Sequence, residues 1–564
     1  MQRGAGRWRS VSTQTPVFAG VALVVAVLVL LPLYHVAASS VTGPHGLSLD
    51  NYANVFRTPR FVAAVGNSLL LAVLSSFTSM LLGAPIAWLV SRSDMPLRRT
   101  TRVLVLASFA VPAFVNALSW VLLAGPNAGA LNKAWMAVTG SDHGFIDIFS
   151  MTGLLLVYTA TIYPLAFIFM HNAFESMDAR MEHAARLLGA GGARVALTIT
   201  LPLARPAILA AFIITFLEGL TSYGAPAVIG VPARVYVITT QIWSLFQYPP
   251  QIALAAALSL PLLIVTTALL AAQRLLLGRR GFTTIHGKAG LAPRTELGAW
   301  RWPAVVLCLM IVFVTFVLPN AMLVFEAFYA RNYGALSLRN VTLEHFRYVL
   351  VDYIDGAPSI RNSLFTATIA ATLAVLLAFT SAVIVAHVKS RVASILNFLC
   401  LLPLVIPSMV FAVGLVAAYS RGPFVLYGTL WIMILAFLTL NLPYAFMSSS
   451  SALASVHREL ESAARTLGAP LLRVLRDITM PLVAGGLLTG WIVVFANSLR
   501  ELSAAALLFT SRTTVIATAI MDLDYASNWG GVAAMSVILL AINAIVITGG
   551  YRFVGRNLLD PHRR

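Results

Sequence analysis

The sequence is poor in charge for its length. Only 10% of its 564 residues are Asp, Glu, Lys or Arg, and 59% are hydrophobic. Soluble domains carry roughly 25% charged residues, so this composition excludes an ordinary soluble domain and indicates a membrane protein. The two cysteines, Cys308 and Cys400, both lie inside apolar runs. This excludes a disulfide framework and a cysteine metal site.

Motifs for nucleotide hydrolysis and metal-dependent catalysis are absent from the sequence. A phosphate-binding P-loop requires the pattern G-x-x-x-x-G-K-[ST]. The only Gly-Lys pair, Gly287-Lys288, is followed by Ala289 and lacks the upstream glycine. No H-E-x-x-H motif occurs, and no pair of carboxylates is placed for general acid–base catalysis. We therefore expect a chain that is not an enzyme, that cannot hydrolyse ATP alone and that binds no metal or cofactor itself.

Long apolar runs are the dominant feature that is present. A helix that crosses a bilayer needs about 20 apolar residues, and twelve segments meet this requirement. They lie near residues 17–38, 62–91, 103–124, 151–171, 206–229, 251–273, 302–328, 363–387, 394–419, 425–448, 483–509 and 531–551. The first is longer than the apolar core of a signal peptide, so we interpret it as a retained helix. The sequence thus predicts an all-α polytopic membrane protein with about twelve transmembrane helices.

Lysine and arginine are distributed unevenly between the two sides of the predicted membrane. With a cytoplasmic N-terminus, 27 of the 38 basic residues fall in cytoplasmic segments and 10 in outer loops. Cytoplasmic loops of membrane proteins carry such an excess. The pattern predicts a multi-pass protein of the cell inner (plasma) membrane with both termini in the cytoplasm. It also accounts for the net charge of +18 without a nucleic-acid partner.

One segment of the sequence occurs twice. Residues 182–203 and 461–482 are identical at 13 of 22 positions with a constant offset of 279, and the identities include Thr200 with Thr479. Residues 67–69 (Asn-Ser-Leu) recur at 362–364 with an offset of 295. A long-range repeat in an apolar chain indicates two copies of one unit. Because an even number of spans separates the copies, we predict two six-helix halves in parallel tandem topology.

The polar, basic and glycine-rich segment after the sixth span is the natural boundary between the halves. The predicted divisions are a cytoplasmic N-terminal tail (1–16), a first half (17–275) containing one repeated loop (181–206), a cytoplasmic linker (276–301), a second half (302–552) containing the other repeated loop (459–483), and a cytoplasmic C-terminal tail (553–564).

The repeated segment lies in a predicted cytoplasmic loop of each half and is expected to form two short helices joined by a glycine turn. Gly189 and Gly468 stand where a helix ends in a left-handed residue. Pro202 and Pro481 stand near the start of the next span, where a missing N–H is tolerated. Each half would therefore present a small helical knob to a cytoplasmic partner. The alternative is an amphipathic linker on the lipid surface, which has little reason to repeat these positions.

The repeated segment resembles the EAA motif of ABC importer permeases. That pattern is E-A-A, a glycine after three further residues, and I-x-L-P after nine more. In that family the loop forms coupling helices that dock in a groove of an ATPase subunit. Here the acidic residue stands one position early, because His183 and Ser462 directly precede the two alanines. The resemblance implies ATPase coupling by Glu182, Ala184, Ala185, Gly189, Pro202, Glu461, Ala463, Ala464, Gly468 and Pro481.

The resemblance extends to nearly the whole chain, since two halves in one polypeptide are similar to the fused ferric-iron and thiamine permeases. It implies the permease subunit of an ATP-binding-cassette importer, with ATP and Mg²⁺ bound by a separate ATPase dimer at the cytoplasmic face. An extracytoplasmic solute-binding protein would deliver the cargo. Stretches 122–132 and 238–261 look like iron-type permeases, which favours ferric iron. Thiamine, polyamine and 2-aminoethylphosphonate permeases share much of the fold and stay open as alternatives.

Ionisable groups within predicted spans usually mark a transport pathway. Glu218 lies in the fifth span, and Arg500 and Glu501 lie in the eleventh. The offset of 279 aligns Glu218 with Asn497 and Ser222 with Glu501. We interpret these five residues as candidates for the translocation path of a cationic or hydrated cargo. A structural ion pair, or a group at headgroup level, is the alternative.

A secondary transporter driven by an ion gradient is the alternative of another class. It would also use intramembrane carboxylates and internal repeats. It would not require matching helical loops on the cytoplasmic side.

Overall fold

The computed structural model describes residues 11–43, 46–177, 180–277, 294–330, 340–388 and 390–559. In these residues the chain is almost entirely helical, with 25 α-helices. Their sheet structure is one antiparallel pair of two-residue strands, β1 (Thr42–Gly43) and β2 (Gly46–Leu47). Helices satisfy every backbone hydrogen bond within one segment, which a chain in lipid requires.

The membrane-spanning helices match the predicted number. Ten helices of the described part are long and apolar enough to cross a membrane, and up to twelve if each of two sharply bent helix pairs forms one span. The ten are Phe18–Ser40, Pro59–Arg92, Met151–Ser176, Ala196–Thr221, Ile252–Gln273, Gly298–Phe328, Gly356–His387, Leu430–Ala454, Leu475–Arg500 and Trp529–Gly550. The all-α polytopic class predicted from the sequence is confirmed.

The first helix, α1 (Val11–Ser40), starts before the predicted span at 17–38. It takes in the last six residues of the predicted N-terminal tail (1–16), while the apolar span itself starts at Phe18; residues 1–10 lie outside the described residues. The helix thus continues outward past its apolar core.

The chain forms two compact units, which do not coincide with its linear halves. Unit A comprises Met1–Leu47, Arg347–Ser527 and Ile538–Arg564, and unit B comprises Ser48–Phe346 and Asn528–Val537. The predicted first span therefore belongs to the unit that contains most of the second half, and the predicted seventh span belongs to the unit that contains the first half.

Unit B contains the helices from the second to the seventh predicted span. They are α2 (Asp50–Arg57), α3 (Pro59–Arg92), α4 (Arg98–Phe109), α5 (Ala113–Ala124), α6 (Ala130–Thr139), α7 (Met151–Ser176), α8 (Arg180–Leu187), α9 (Gly192–Val195), α10 (Leu201–Thr221), α11 (Ile238–Ser244), α12 (Ile252–Leu277), α13 (Arg301–Val312), α14 (Leu318–Phe328) and, at its end, α15 (Glu344–Arg347), with π-helical turns at Ala196–Thr200, Pro226–Gly230 and Phe313–Val317 and a 3-10 turn at Gly298–Trp300.

The core of unit B is centred on the contact between α3 and α7. A Cβ at Gly83 would lie 2.7 Å from the carbonyl oxygen of Tyr163, so only glycine allows the two backbones to approach this closely. Tyr163 and Phe167 are buried there together with Cys308 of α13. The first helix of the predicted second half thus packs into the core of unit B.

Unit A contains α1 and the helices after residue 347. The latter are α16 (Gly356–His387), α17 (Arg391–Leu401), α18 (Ser408–Tyr419), α19 (Leu430–Ala454), α20 (Arg458–Thr466), α21 (Leu471–Val474), α22 (Met480–Arg500), α23 (Ala505–Leu508), α24 (Ile516–Tyr525) and the second part of α25 (Trp529–Leu559), with π-helical turns at Tyr348–Asp352 and Leu475–Thr479 and a 3-10 turn at Leu402–Val405. Here α1 packs on α18, where a Cβ at Gly414 would lie 2.4 Å from the carbonyl oxygen of Pro32.

Two predicted spans are broken rather than continuous. The third (103–124) bends by 99° between α4 and α5, and the ninth (394–419) bends by 109° between the segment Arg391–Val405 and α18. Pro112 and Pro407 stand at the N-caps of α5 and α18. Proline lacks the N–H that would continue the preceding helix and disfavours helical backbone in the residue before it.

The fifth and eleventh spans end earlier than predicted. Helices α10 and α22 stop at Thr221 and Arg500, not near 229 and 509. The apolar residues that follow are buried in the protein, as the burial of Ile229 and Leu508 shows. Hydropathy cannot separate residues buried in protein from residues that face lipid. The prediction from sequence therefore extended both spans into segments that are buried in the protein.

The C-terminal tail and the linker are only partly described. Helix α25 continues to Leu559, so the predicted tail (553–564) starts inside a helix, since no proline or glycine turn ends it there; residues 560–564 lie outside the described residues. Most of the predicted linker (276–301) also lies outside them, at residues 278–293.

The described end of the linker is anchored on the loop after α3. The Asp94 carboxylate accepts hydrogen bonds from Nε of Arg301 at 2.8 Å and from the N–H of Leu297 at 2.9 Å. These bonds hold the pKa of the Asp94 carboxyl below its usual value, and the bond from Arg301 has the largest effect. The start of α13 is thereby fixed to the polypeptide that ends α3.

The repeated Asn-Ser-Leu triplet has the same role in both units. Asn67 and Ser68 bind the backbone at the start of α11, through a bond from Asn67 to the Tyr236 carbonyl at 3.0 Å and a bond from the Ile238 N–H to Ser68 at 2.8 Å. In unit A, Asn362 binds the Thr514 carbonyl at 3.0 Å and Ser363 accepts from the Ile516 N–H at 2.8 Å. The repeat thus preserves two hydrogen bonds between these side chains and the backbone in each unit.

A glycine pair holds α22 against α19. A Cβ at Gly486 would lie 2.5 Å from Cβ of Ala452, and one at Gly490 would lie 3.0 Å from Cβ of Ser448. Small residues four apart allow membrane helices to pack closely. We expect Gly486→Leu to lower the free energy of unfolding by about 1–3 kcal/mol through overpacking, measured as earlier thermal unfolding of the purified protein in detergent.

The matched control for this packing prediction is Gly549→Leu, since that glycine of α25 has open space around its missing side chain. Equal unfolding curves for the two variants would contradict the packing argument.

Candidate functional site

The two repeated loops fold in the same way. In each, a first short helix (α8 or α20) ends at a glycine, a second one follows (α9 or α21), and a π-helical turn leads into the next span. Gly189 and Gly468 have φ angles of +83° and +84°. The N–H of the following residue bonds five residues back, from Ala190 to Ala185 at 3.0 Å and from Ala469 to Ala464 at 3.1 Å. This is the Schellman ending of a helix, so the predicted glycine turn is confirmed.

In each loop a glutamate side chain accepts a hydrogen bond from a threonine of the same loop. The Thr200 hydroxyl donates to the Glu182 carboxylate at 2.7 Å, and the Thr479 hydroxyl donates to Glu461 at 2.9 Å. Both threonines are buried. The bond joins the first helix of the loop to the π-helical turn before α10 or α22. The knob is therefore held as one body with the start of the following span.

In unit A this glutamate has a second partner. Nε2 of His387, the last residue of α16, lies 2.9 Å from Glu461. Burial raises the pKa of the Glu461 carboxyl, but the bonds to His387 and Thr479 and the charge of Arg465 outweigh it, and the pKa lies below its usual value. Glu461 is thus a carboxylate held by three elements of unit A.

The tips of the loops carry exposed apolar side chains. Leu187 and Leu188 are 86% and 89% exposed, and Leu467 is 88% exposed. Leucines this exposed, directly before a glycine turn on a predicted cytoplasmic loop, form a small apolar surface of the kind that binds another protein. Ala184 and Ala463 lie on the exposed part of the same helices, and Ala185 and Ala464 are half-buried.

The repeated prolines lie where the sequence predicted. Pro202 and Pro481 are in the first turn of α10 and α22. Each is preceded by a helical π turn instead of a break, so the loop passes into the span without a bend at this point.

The intramembrane candidates of the first half line a small recess in unit B. Glu218 of α10 and Ser222, which caps the C-terminus of that helix, lie there with Tyr158 and Thr161 of α7. The Glu218 side chain is exposed and lies about 33 Å along the helix from Ala196, at 1.5 Å per residue, so it is near the predicted outer end of the span.

The candidates of the second half lie at the matching end of α22. Asn497 and Arg500 are in its last turn, and Glu501 caps it as Ser222 caps α10. Glu501 accepts the N–H of Ala504 at 3.0 Å and the Ser408 hydroxyl at 3.4 Å. The alignment of Ser222 with Glu501 therefore holds in the structure. That the carboxylates of the two halves lie close together stays a prediction.

Sequence analysis missed three residues whose side chains hold the repeated loops in place. Thr200 and Thr479 were visible as identities of the repeat, but only the fold shows that they bind the glutamates. His387 gave no signal, because its partner Glu461 is 74 residues away.

The comparison with known proteins agrees with this geometry. Residues 61–280 and 373–557 match the family model described as "Binding-protein-dependent transport system inner membrane component". The chain is 25% identical to a ferric transport system permease protein of Actinobacillus pleuropneumoniae over 498 residues, which cover 86% of this chain and 70% of that protein.

A second relative corresponds in length to one half. The chain is 28% identical to a putative 2-aminoethylphosphonate transport system permease protein of Salmonella typhi over 249 residues, covering 44% of this chain and 93% of that protein. Among solved structures, a bacterial alginate ABC transporter in complex with an alginate-bound periplasmic protein has a TM-score of 0.41 and 18% identity, covering 48% of this chain and 97% of that one.

The two matched segments together cover most of the chain, one in each predicted half. They agree with the twofold repeat, the ten to twelve apolar helices and the paired helical loops. The chain therefore belongs to the family of binding-protein-dependent transport system inner membrane components, as a fused two-half permease of ABC importers, and it is a multi-pass transport protein and not an enzyme.

Proposed function

We propose that this permease imports ferric iron with the help of a separate ATPase dimer. The proposal of an ATPase partner rests on one observation. The two loops have the same fold, and each has a left-handed glycine beside exposed leucine side chains. Two equal docking knobs suit a dimeric motor, one knob for each ATPase subunit. ATP and Mg²⁺ would be bound by those partner subunits.

The docking surface would consist of the loop tips and not of the repeated glutamates. The exposed residues Ala184, Ala463, Gly189 and Gly468 are free to meet a partner. The carboxylates of Glu182 and Glu461 are engaged within the chain. Their part in coupling would be to keep each knob rigid on α10 or α22, because a packed helix in a groove moves as a rigid body.

The cargo would arrive from an extracytoplasmic solute-binding protein and pass the carboxylates at the ends of α10 and α22. The basic excess of the knob-bearing loops supports a cytoplasmic position for them and for both termini. The choice of ferric iron as the cargo rests on the similarity to the ferric transport permease of Actinobacillus pleuropneumoniae, of which the chain covers 70%. Carboxylates near the predicted outer end of the path suit a cationic cargo.

Reconstitution tests this function. The permease, the ATPase and the binding protein encoded with it are placed in proteoliposomes, and uptake of radioactive iron from the ferric-loaded binding protein is followed with and without ATP. We expect uptake that requires ATP, the ATPase and the binding protein. Uptake driven by an ion gradient without the ATPase would instead support a secondary transporter. Competition with thiamine, a polyamine or 2-aminoethylphosphonate tests the choice of cargo.

A further inference from the structure

The second span of each half ends in a basic residue whose side chain contacts the repeated loop or the residues just before it. Arg92 is the last residue of α3, and His387 is the last residue of α16. The offset of 295 that aligns the two Asn-Ser-Leu triplets also aligns these two residues. The residue type differs, yet each side chain contacts an acceptor outside its own helix, at the end of α7 for Arg92 and in α20 for His387.

In unit B the contact is made by a buried guanidinium. Arg92 is 7% exposed, and its Nη2 donates to the carbonyl oxygen of Met177 at 2.6 Å. Met177 caps the C-terminus of α7, three residues before α8 begins. Arg92 thereby fixes the polypeptide at the point where it leaves the membrane helix and enters the knob.

In unit A the contact is made by an imidazole with two acceptors. Nδ1 of His387 lies 2.9 Å from the carbonyl oxygen of Val383, and Nε2 lies 2.9 Å from the Glu461 carboxylate. A carboxylate only accepts hydrogen bonds, so Nε2 is the donor in the contact with Glu461. His387 thus donates to an acceptor outside its own helix, as Arg92 does in unit B.

Glu461 connects His387 to two other elements. It belongs to α20, the first helix of the knob, and it also accepts from Thr479 in the turn before α22. A displacement of α20 therefore acts on the end of α16 and on the start of α22 at the same time. Half-buried charge-assisted hydrogen bonds are short and directional, so they pass on movement that a mobile surface pair would absorb.

We propose that Arg92 and His387 are positioning residues that transmit movement of the ATPase-docked knobs to the second span of each half. The inference rests on the proposed function, since it needs an ATPase on the knobs. Without these contacts the knobs would still bind the ATPase and still respond to ATP. Their movement would reach α3 and α16 only through the packing of the helices, so more ATP would be hydrolysed for each ion moved.

The test measures ATP hydrolysed per iron ion imported by the reconstituted complex. His387→Ala and Arg92→Ala are expected to raise this ratio at least about fivefold, which is the lower end of measured couplings between sites, with ATPase binding unchanged. His387→Phe keeps the ring volume and is expected to behave like His387→Ala. His387→Arg introduces the residue found at the equivalent position and should return the ratio to near the wild-type value.

Controls come from the same predicted cytoplasmic loops. Arg99→Ala and Arg391→Ala each remove an exposed arginine that is near Arg92 or His387 in sequence, and they should leave the ratio unchanged. The proposal is overturned if His387→Phe keeps the wild-type ratio, or if His387→Arg is as uncoupled as His387→Phe. A wild-type permease that recruits no ATPase would overturn the proposed function itself, and the transmission role with it.

Discussion

Replacing both Gly189 and Gly468 by aspartate is expected to abolish co-purification of the ATPase with the permease. Both glycines have open space around their missing side chains, so a new carboxylate would point away from the chain, toward the expected partner. It would place a charge beside the exposed Leu188 and Leu467. An apolar contact that must bury this charge loses affinity, and each tenfold loss corresponds to about 1.4 kcal/mol.

The cost of this double substitution to folding should be small by comparison. A left-handed residue other than glycine costs roughly 1–2 kcal/mol, and aspartate is among the side chains that tolerate this conformation best. The chain offers matched controls with the same backbone strain. Gly140 and Gly422 have φ angles of +70° and +97° and open space around them, and both lie in predicted outer loops.

Gly140→Asp with Gly422→Asp should therefore leave ATPase binding unchanged. The measurement is the amount of ATPase captured per permease in detergent. Wild-type capture by the Gly189→Asp, Gly468→Asp protein would rule out docking at the knobs. Equal loss in both double variants would trace the effect to backbone strain and would contradict the prediction as well.

The fold could be predicted from the sequence where the signal is local or repeated. Apolar length identified the spans, and the glycine and proline positions identified the turn at Gly189 and the first turn of α10. Each of these features depends on a few neighbouring residues. Because the repeat doubled the signal, the second copy confirmed each feature independently.

The remaining features depend on contacts that apolar length does not encode. The residues after Thr221 are as apolar as a span, but they are buried in protein, so the helix end was placed too late. The packing of α1 in unit A depends on a backbone contact between Pro32 and Gly414, far apart in sequence. The inward direction of Glu461 depends on His387 and Thr479, which only the fold brings to it.

Glu218→Gln and Glu501→Gln are each expected to lower ATP-dependent iron uptake by at least about tenfold, which corresponds to about 1.4 kcal/mol, since a cationic cargo that passes the outer ends of α10 and α22 would lose the attraction of a carboxylate. Glutamine has the same size; its one side-chain oxygen can accept the Ala504 N–H, and its NH2 group can donate to the Ser408 hydroxyl oxygen. Only the negative charge is lost. ATPase capture and thermal unfolding should stay at wild-type values, because the knobs are untouched.

The control and a rescue variant separate transport from structure. Glu175→Gln makes the same chemical change at an exposed site at the end of α7 and should leave uptake unchanged. If Glu501 served only to neutralise Arg500, then Arg500→Met combined with Glu501→Gln would restore uptake. A direct role in passing a cation predicts that the double variant stays inactive. Full uptake by both single glutamine variants, at normal expression, would remove the carboxylates from the path.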